Sequence, residues 1–182
     1  MDTDDIALPH RFKKQIDFME ENPSVDIVGG AIEEFEQVPG DMKSIRFSRE
    51  DHESLVRYAK SRNPLNHPTT LYKKSKLMEV GSYKHMPGHE DYYLWVRMIQ
   101  AGAILANVKD TLLYFRVGNG MVNRRSGFKY IQHEHRFLKA LKKLGFINIA
   151  EFYTLLFLKA PIRLMPNSAL TILYKVLRRK AA

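Results

Sequence analysis

Apolar positions recur along the chain with two periods, one helical and one extended. After Pro9, residues Phe12, Ile16 and Met19 fall at helical spacing until Asn22-Pro23 ends the run, which predicts a helix. Val25 to Val28 reads as a buried strand, followed by a glycine break at Gly29-Gly30 and more extended chain. Pro39-Gly40 marks a turn in a polar loop over 37–49. DHESLVRYAK predicts a short helix, HPTTLYKK a strand, and SKLMEVGSY a short helix closed by Gly81. The clearest helix is HEDYYLWVRMIQAG, where Leu94, Trp95, Met98 and Ile99 form one stripe and Gly102 suits the position just past the end. AILANVKDTLLYFRV predicts one or two strands. A second long helix follows in SGFKYIQHEHRFLKALKKLG, with Ile131, Leu138 and Leu141 on one face and Gly145 at its end. The tail divides into two apolar helical pieces split by Pro161 and Pro166. This mixture predicts an α/β or α+β domain without internal repeats.

Composition narrows the classes. At 182 residues the chain can bury a sizeable core. It holds no cysteine, which excludes disulfides, a Cys-based zinc site and a thiol nucleophile. No apolar run reaches the ~18–20 residues of a membrane span. The acidic start, MDTDDIALPH, lacks the basic-then-apolar order of a signal peptide, so a cytoplasmic protein is expected. The net charge is +9, with Arg124-Arg125, Lys142-Lys143 and Arg178-Arg179-Lys180 all late in the chain. A basic surface serves nucleic acid, an anionic membrane or a phosphorylated ligand, and charge alone does not choose. No nucleic-acid motif is present, and the aromatics lie on apolar faces rather than among the basic residues.

Four constellations carry candidate chemistry. Asp2, Asp4 and Asp5 crowd carboxylates that a hard cation would neutralise; the bland reading is an acidic terminus ahead of a helix. Gly88-His89-Glu90-Asp91 opens the amphipathic helix. Acidic residues are favoured there by the helix dipole, and a carboxylate held there could also take a proton from a hydroxyl. Asn63-Pro64-Leu65-Asn66-His67-Pro68 brackets polar side chains with prolines, as either a rigid ligand loop or a structural turn. Arg116, Gly118-Asn119-Gly120 and Asn123-Arg124-Arg125 form either a diphosphate-enclosing loop or a solvated basic one.

In order, the segments MDTDDIALPHRFKKQIDFMEENP, DIVGG, NPLNHPTTLYKKS, VGSYKHMPGHEDYYLWVRMIQAGA and LLYFRVG resemble the inverting family 2 glycosyltransferases of bacteria, which have the GT-A fold. The resemblance covers residues 1–145, and the ordered set is far more specific than any single piece. It implies transfer of a sugar from a nucleotide-sugar donor, a UDP-sugar first of all, to a saccharide or lipid-linked saccharide in surface polysaccharide synthesis. It also implies that Asp2 and Asp4 match the metal-binding DxD motif for Mn²⁺ or Mg²⁺, with Asp4 the more direct ligand. Asp91 matches the catalytic base, with Glu90 beside it. Asn66, His67 and His89 fall on the acceptor side. Arg116, Arg124 and Arg125 fall where such enzymes close over the donor diphosphate.

In that family a Rossmann-like, nucleoside-binding half precedes the DxD motif. The expectation is therefore a partial GT-A domain lacking its leading nucleotide-binding strands, either an N-terminally truncated form or one whose missing half is a separate chain. Residues 1–145 would be the acceptor-side half, and residues 146–182 an amphipathic helical tail. A non-catalytic saccharide- or membrane-binding remnant is the alternative. In the tail, Leu170, Leu173, Val176 and Leu177 share an apolar face beside Lys175 and Arg178-Arg179-Lys180, which suits peripheral attachment to an anionic membrane; the alternative is a helix packed on the domain.

Overall fold

The computed structural model describes residues 3–118, 126–166 and 169–170. Five strands, β1 (Ile6–Ala7), β2 (Ile27–Phe35), β3 (Ser44–Arg46), β4 (Leu71–Tyr72) and β5 (Leu105–Arg116), form one mixed sheet in the order β1-β5-β2-β3, with β4 also on β2. The central pair β2 and β5 is parallel, and every other pairing is antiparallel. Parallel neighbours require a crossover. Here it contains α2 (His52–Tyr58), a 3₁₀ turn (His67–Thr69), α3 (Lys74–Glu79) and α4 (Glu90–Gln100). Helix α1 (Arg11–Glu21) precedes β2, and α5 (Phe128–Lys143) and α6 (Ile149–Leu164) follow β5.

β2 is one continuous strand and runs through the Gly29-Gly30 pair that was expected to break it. The glycines admit neighbours rather than a turn: a Cβ on Gly29 would strike the Asn107 amide, and one on Gly30 would strike the Leu112 side chain. The register against β5 shifts at this point, from Gly30 to Ile32. HPTTLYKK begins as a 3₁₀ turn, His67–Thr69, and only Leu71–Tyr72 pairs as strand, because the Thr69 hydroxyl accepts from Gly30 N (3.1 Å) and donates to Asn66 O (2.8 Å). Residues 103–117 form a single strand within Leu105–Arg116.

The layers follow from strand alternation. Ile27 and Leu105 face α4, packing with Leu94, Trp95 and Met98. Val28 faces the other way, toward Phe18 and Met19 of α1. Phe12 and Ile16 of α1 point to solvent, while Gln15 is buried and donates to Val28 O (3.1 Å) and Thr69 O (2.7 Å). Satisfying those two carbonyls sets the helix rotation, against the apolar spacing. The second side of α4 is also buried: Tyr92 and Val96 pack with Phe137, Leu138 and Leu141 of α5 and Phe152 of α6. α6 thus shares a core with the rest of the domain.

Helix ends obey local rules. At α4 the Ala103 N–H reaches Met98 O and the Gly102 N–H reaches Ile99 O, both at 2.9 Å, and Gly102 takes φ +80°. Gly145 closes α5 in the same way. Asn148 and Glu151 form a capping box that starts α6. Pro161 does not split the tail, since α6 continues through it to Leu164. Pro161 and Phe157, whose carbonyl the proline leaves without an N–H partner, both lie on the exposed side where water can serve. Leu170, expected on a lipid-facing stripe, is fully buried; Leu173, Val176, Leu177 and the Arg178-Arg179-Lys180 cluster lie outside the described residues.

Candidate active site

α4 leads through its glycine turn directly into β5, so its N-terminus lies toward the carboxyl ends of the parallel strands, where open α/β sheets bind ligands. Gly88, at φ +76°, lets the chain enter the helix close against the Tyr130 ring. Glu90 and Asp91 occupy the first turn, where free N–H groups and the dipole favour carboxylates. Both are half-buried. The Asn63 amide donates to Asp91 Oδ2 at 2.7 Å and so fixes the direction of that carboxylate.

Asn63 can do this because its loop is fastened. The Asn66 amide donates to Gly30 O (2.9 Å) and accepts from Arg46 Nε (2.9 Å), and the Ser48 hydroxyl donates to Pro64 O (2.6 Å). An exposed His67 follows, its ring against Trp95 and Tyr83 with centroids 6.0 and 6.1 Å apart. Tyr83 arrives on the loop after α3. Arg97 of α4 holds that loop by donating to Val80 O and Ser82 O, both at 2.6 Å, which keeps Ser82 at φ +57°. Partial burial, a hydrogen bond with Tyr72 and the negative charge of Asp91 push the Tyr83 phenol well up, so it keeps its proton and remains a donor.

His89 lies on the other side of the helix start. It is buried, stacked on Phe137 (4.4 Å, 10°), with Nε2 3.6 Å from Glu134 Oε2. Glu134 of α5 also receives Lys159 (2.8 Å) and Arg163 (3.3 Å) of α6. Burial pushes the Glu134 carboxyl up, but the His89 imidazole and the Lys159 ammonium outweigh it and hold the group far below the ordinary carboxylate range.

A second set of candidates gathers where β5 ends. The Arg116 guanidinium donates to Glu36 O (2.8 Å) and lies near Asp4 O (3.4 Å), over the Phe35 ring. The Arg116 N–H donates to the buried Asp5 carboxylate (3.1 Å). The half-buried Asp4 is therefore anchored beside Arg116. Among the described residues no three His, Asp or Glu side chains form a metal cluster. Asp2, Arg124 and Arg125 lie outside the described residues.

No family model matches the chain. Over 180 residues it is 38% identical to an uncharacterized glycosyltransferase of Haemophilus influenzae, covering 99% of this chain and 67% of that protein. The chain belongs to the glycosyltransferases. It is 40% identical over 179 residues to the amylovoran biosynthesis glycosyltransferase AmsE of Erwinia amylovora, covering 96% of this chain and 65% of that protein. It is 34% identical over 179 residues to the UDP-Gal:alpha-D-GlcNAc-diphosphoundecaprenol beta-1,3-galactosyltransferase of Escherichia coli, covering 98% of this chain and 65% of that protein. The chain spans about two thirds of the length of these relatives.

Within this glycosyltransferase chain, the fold brings Asp91, His67 and Tyr83 to one aromatic-walled edge, and Asp4 and Arg116 to another. It does not bring the acceptor-side candidates together. The Asn66 amide is engaged by backbone and Arg46, and His89 is turned into the α4–α5 interface. Sequence reasoning gave no role to Asn63, Tyr83, Arg97 or Glu134. Asn63 stands in a loop singled out for its prolines, but nothing local links it to Asp91. The one available signal for Glu134 was a carboxylate on the apolar face of α5.

Proposed function

We propose that the protein is an inverting family 2 glycosyltransferase of GT-A type that transfers a sugar from a UDP-sugar to a saccharide or lipid-linked saccharide acceptor in surface polysaccharide synthesis. The observation that carries this reading is the Asp91 carboxylate held by Asn63 at the start of α4, beside His67 and a protonated Tyr83. The names of two relatives support the substrate classes: one is an amylovoran biosynthesis glycosyltransferase, and the other is named for UDP-Gal and alpha-D-GlcNAc-diphosphoundecaprenol. Asp91 accepts the proton of the acceptor hydroxyl. The hydroxyl oxygen attacks the anomeric carbon from the side opposite the nucleoside diphosphate. The bond from that carbon to the diphosphate oxygen breaks, and the configuration inverts. Glu90 projects about 100° around the helix from Asp91, so it supports acceptor binding rather than sharing the proton transfer. His67 and Tyr83 form the acceptor wall, with Asn66 and His89 fixing the structure behind it.

Asp4, with Asp2, would hold Mn²⁺ or Mg²⁺. Such hard cations accept one or two carboxylates plus substrate phosphates, and of the carboxylates beside Arg116 the Asp5 one already accepts the Arg116 N–H, which leaves Asp4 as the described candidate. When bound, the metal neutralises charge on the leaving diphosphate. Arg116 anchors the Asp4 segment, and Arg124 and Arg125 are assigned to the donor diphosphate. Among the described residues no helix is long and apolar enough to cross a membrane, and the protein acts at the cytoplasmic membrane face as a peripheral enzyme in this reading.

The test uses the full-length enzyme with a UDP-sugar panel and a diphospholipid-linked saccharide. Asp91→Asn should lower kcat by ~10²–10⁴-fold, and Glu90→Gln should chiefly raise the acceptor KM. Product with the configuration of the donor, or full activity in Asp91→Asn, would overturn the proposal.

A further inference from the structure

α6 places its charges against the usual rule. Its cations point in: Lys159 and Arg163 converge with His89 on Glu134, which is 1% exposed. Phe152 packs inward, with Leu155 and Leu156 against the same core, but other large apolar side chains point out. Phe157 is 82% exposed, and Tyr153, Leu158 and Leu164 share its side of the helix. The inversion has a physical cause. A carboxylate buried on α5 demands opposite charge, and α6 supplies it from the only face that can reach. That leaves a row of aromatic and aliphatic groups in water, covered by no described residue.

The apolar row adjoins a cationic edge. Leu156 and Ala160 border both the outer surface around Phe157 and a trench whose far wall carries Arg136 and Lys139 of α5. Both cations are exposed. Apolar groups beside cations match a lipid surface, which presents acyl chain and phosphate within a few ångströms of each other. A second copy of the same face would fit worse, because no carboxylate among the residues lining it would meet Arg136 and Lys139.

We propose that the outer face of α6 docks on an anionic membrane, with Tyr153, Phe157, Leu158 and Leu164 entering the headgroup boundary and Arg136 and Lys139 meeting lipid phosphates. This deepens the peripheral-membrane element of the proposed function and moves the contact from the basic C-terminal cluster to α6 and α5. It requires no catalytic step. The Glu134 contacts tie this face to His89, the residue before Glu90 and Asp91, so docking would hold the start of α4 near the membrane, where a lipid-linked acceptor resides.

The experiment is sedimentation of the full-length protein with vesicles of phosphatidylcholine containing phosphatidylglycerol, without donor or acceptor. Phe157→Glu should weaken binding by about tenfold or more while circular dichroism stays unchanged, as expected for an exposed position. Arg136→Glu with Lys139→Glu should remove most of the preference for anionic over neutral vesicles and most of the salt sensitivity. Wild-type binding by Phe157→Glu would overturn the proposal. So would a dimer in lipid-free sedimentation velocity that Phe157→Glu dissolves, since that would assign the face to a second copy. Sugar transfer to a diphospholipid-linked saccharide dispersed in detergent, measured on the same variants, separates the two readings: its absence in the wild type counts against the proposed function and leaves the docking result standing.

Discussion

The amide of Asn63 donates to the carboxylate of Asp91 at 2.7 Å, joining a proline-bounded loop to the first turn of α4. The contact leaves one carboxylate oxygen, Oδ1, outside this hydrogen bond and fixes where it points. A general base depends on such fixed geometry, because small misplacements of a reacting group are costly in rate. Asn63→Ala should therefore lower kcat by roughly 10-fold or more with a smaller change in donor KM. Steady-state kinetics beside Asp91→Asn check this. An unchanged kcat would remove Asn63 from the positioning of the base.

Glu134 is the buried counter-charge for Lys159 and Arg163, with His89 close by. Glu134→Leu leaves two cations facing an apolar position and should cost about 3–5 kcal/mol of stability. Denaturant unfolding measures it, and a loss below 1 kcal/mol would mean that water reaches the cluster.

The same carboxyl imposes a pH dependence. Its folded value lies far below the value of about 4.5 it takes when unfolded. Its contribution is thus complete above that pH, declines as pH falls below it, and would vanish only at the folded value. Wild type should lose stability on acidification below pH 4.5 more steeply than Glu134→Gln. Parallel thermal melts between neutral pH and pH 3.5 test the difference in slope.

Arg97 bridges the Val80 and Ser82 carbonyls and so places Tyr83 beside the site. Lysine keeps the charge but lacks the planar fork that serves two carbonyls at once. Arg97→Lys should lose roughly 1–3 kcal/mol of stability and raise the acceptor KM more than the donor KM. Equal effects on both substrates would indicate a general loosening instead.

Asp4→Asn removes the described carboxylate of the candidate metal site. In the full-length enzyme it should weaken Mn²⁺ binding, read by electron paramagnetic resonance, and abolish metal-dependent transfer. Wild-type Mn²⁺ affinity in that variant would take Asp4 out of the site.

By itself the sequence determined what short-range physics governs. α1, α4 and α5 appear where apolar spacing predicts helices, and Gly102 and Gly145 stop two of them through hydrogen bonds that close within a few residues. The acidic start of α4 was equally legible, because helix ends favour such residues regardless of what surrounds them. Tertiary structure decided everything that depends on a distant partner. Gly29 and Gly30 read as a break, yet they are strand residues because Asn107 and Leu112 occupy the space their side chains would need. The rotation of α1 follows two carbonyls that Gln15 must satisfy, not the spacing of Phe12 and Ile16. α6 turns its cations inward because Glu134 waits on another helix. Asp91 gained its holder only when folding brought Asn63, 28 positions earlier, within hydrogen-bond distance. Local periodicity carries no trace of such a contact, since its stabilisation exists only once both segments are packed.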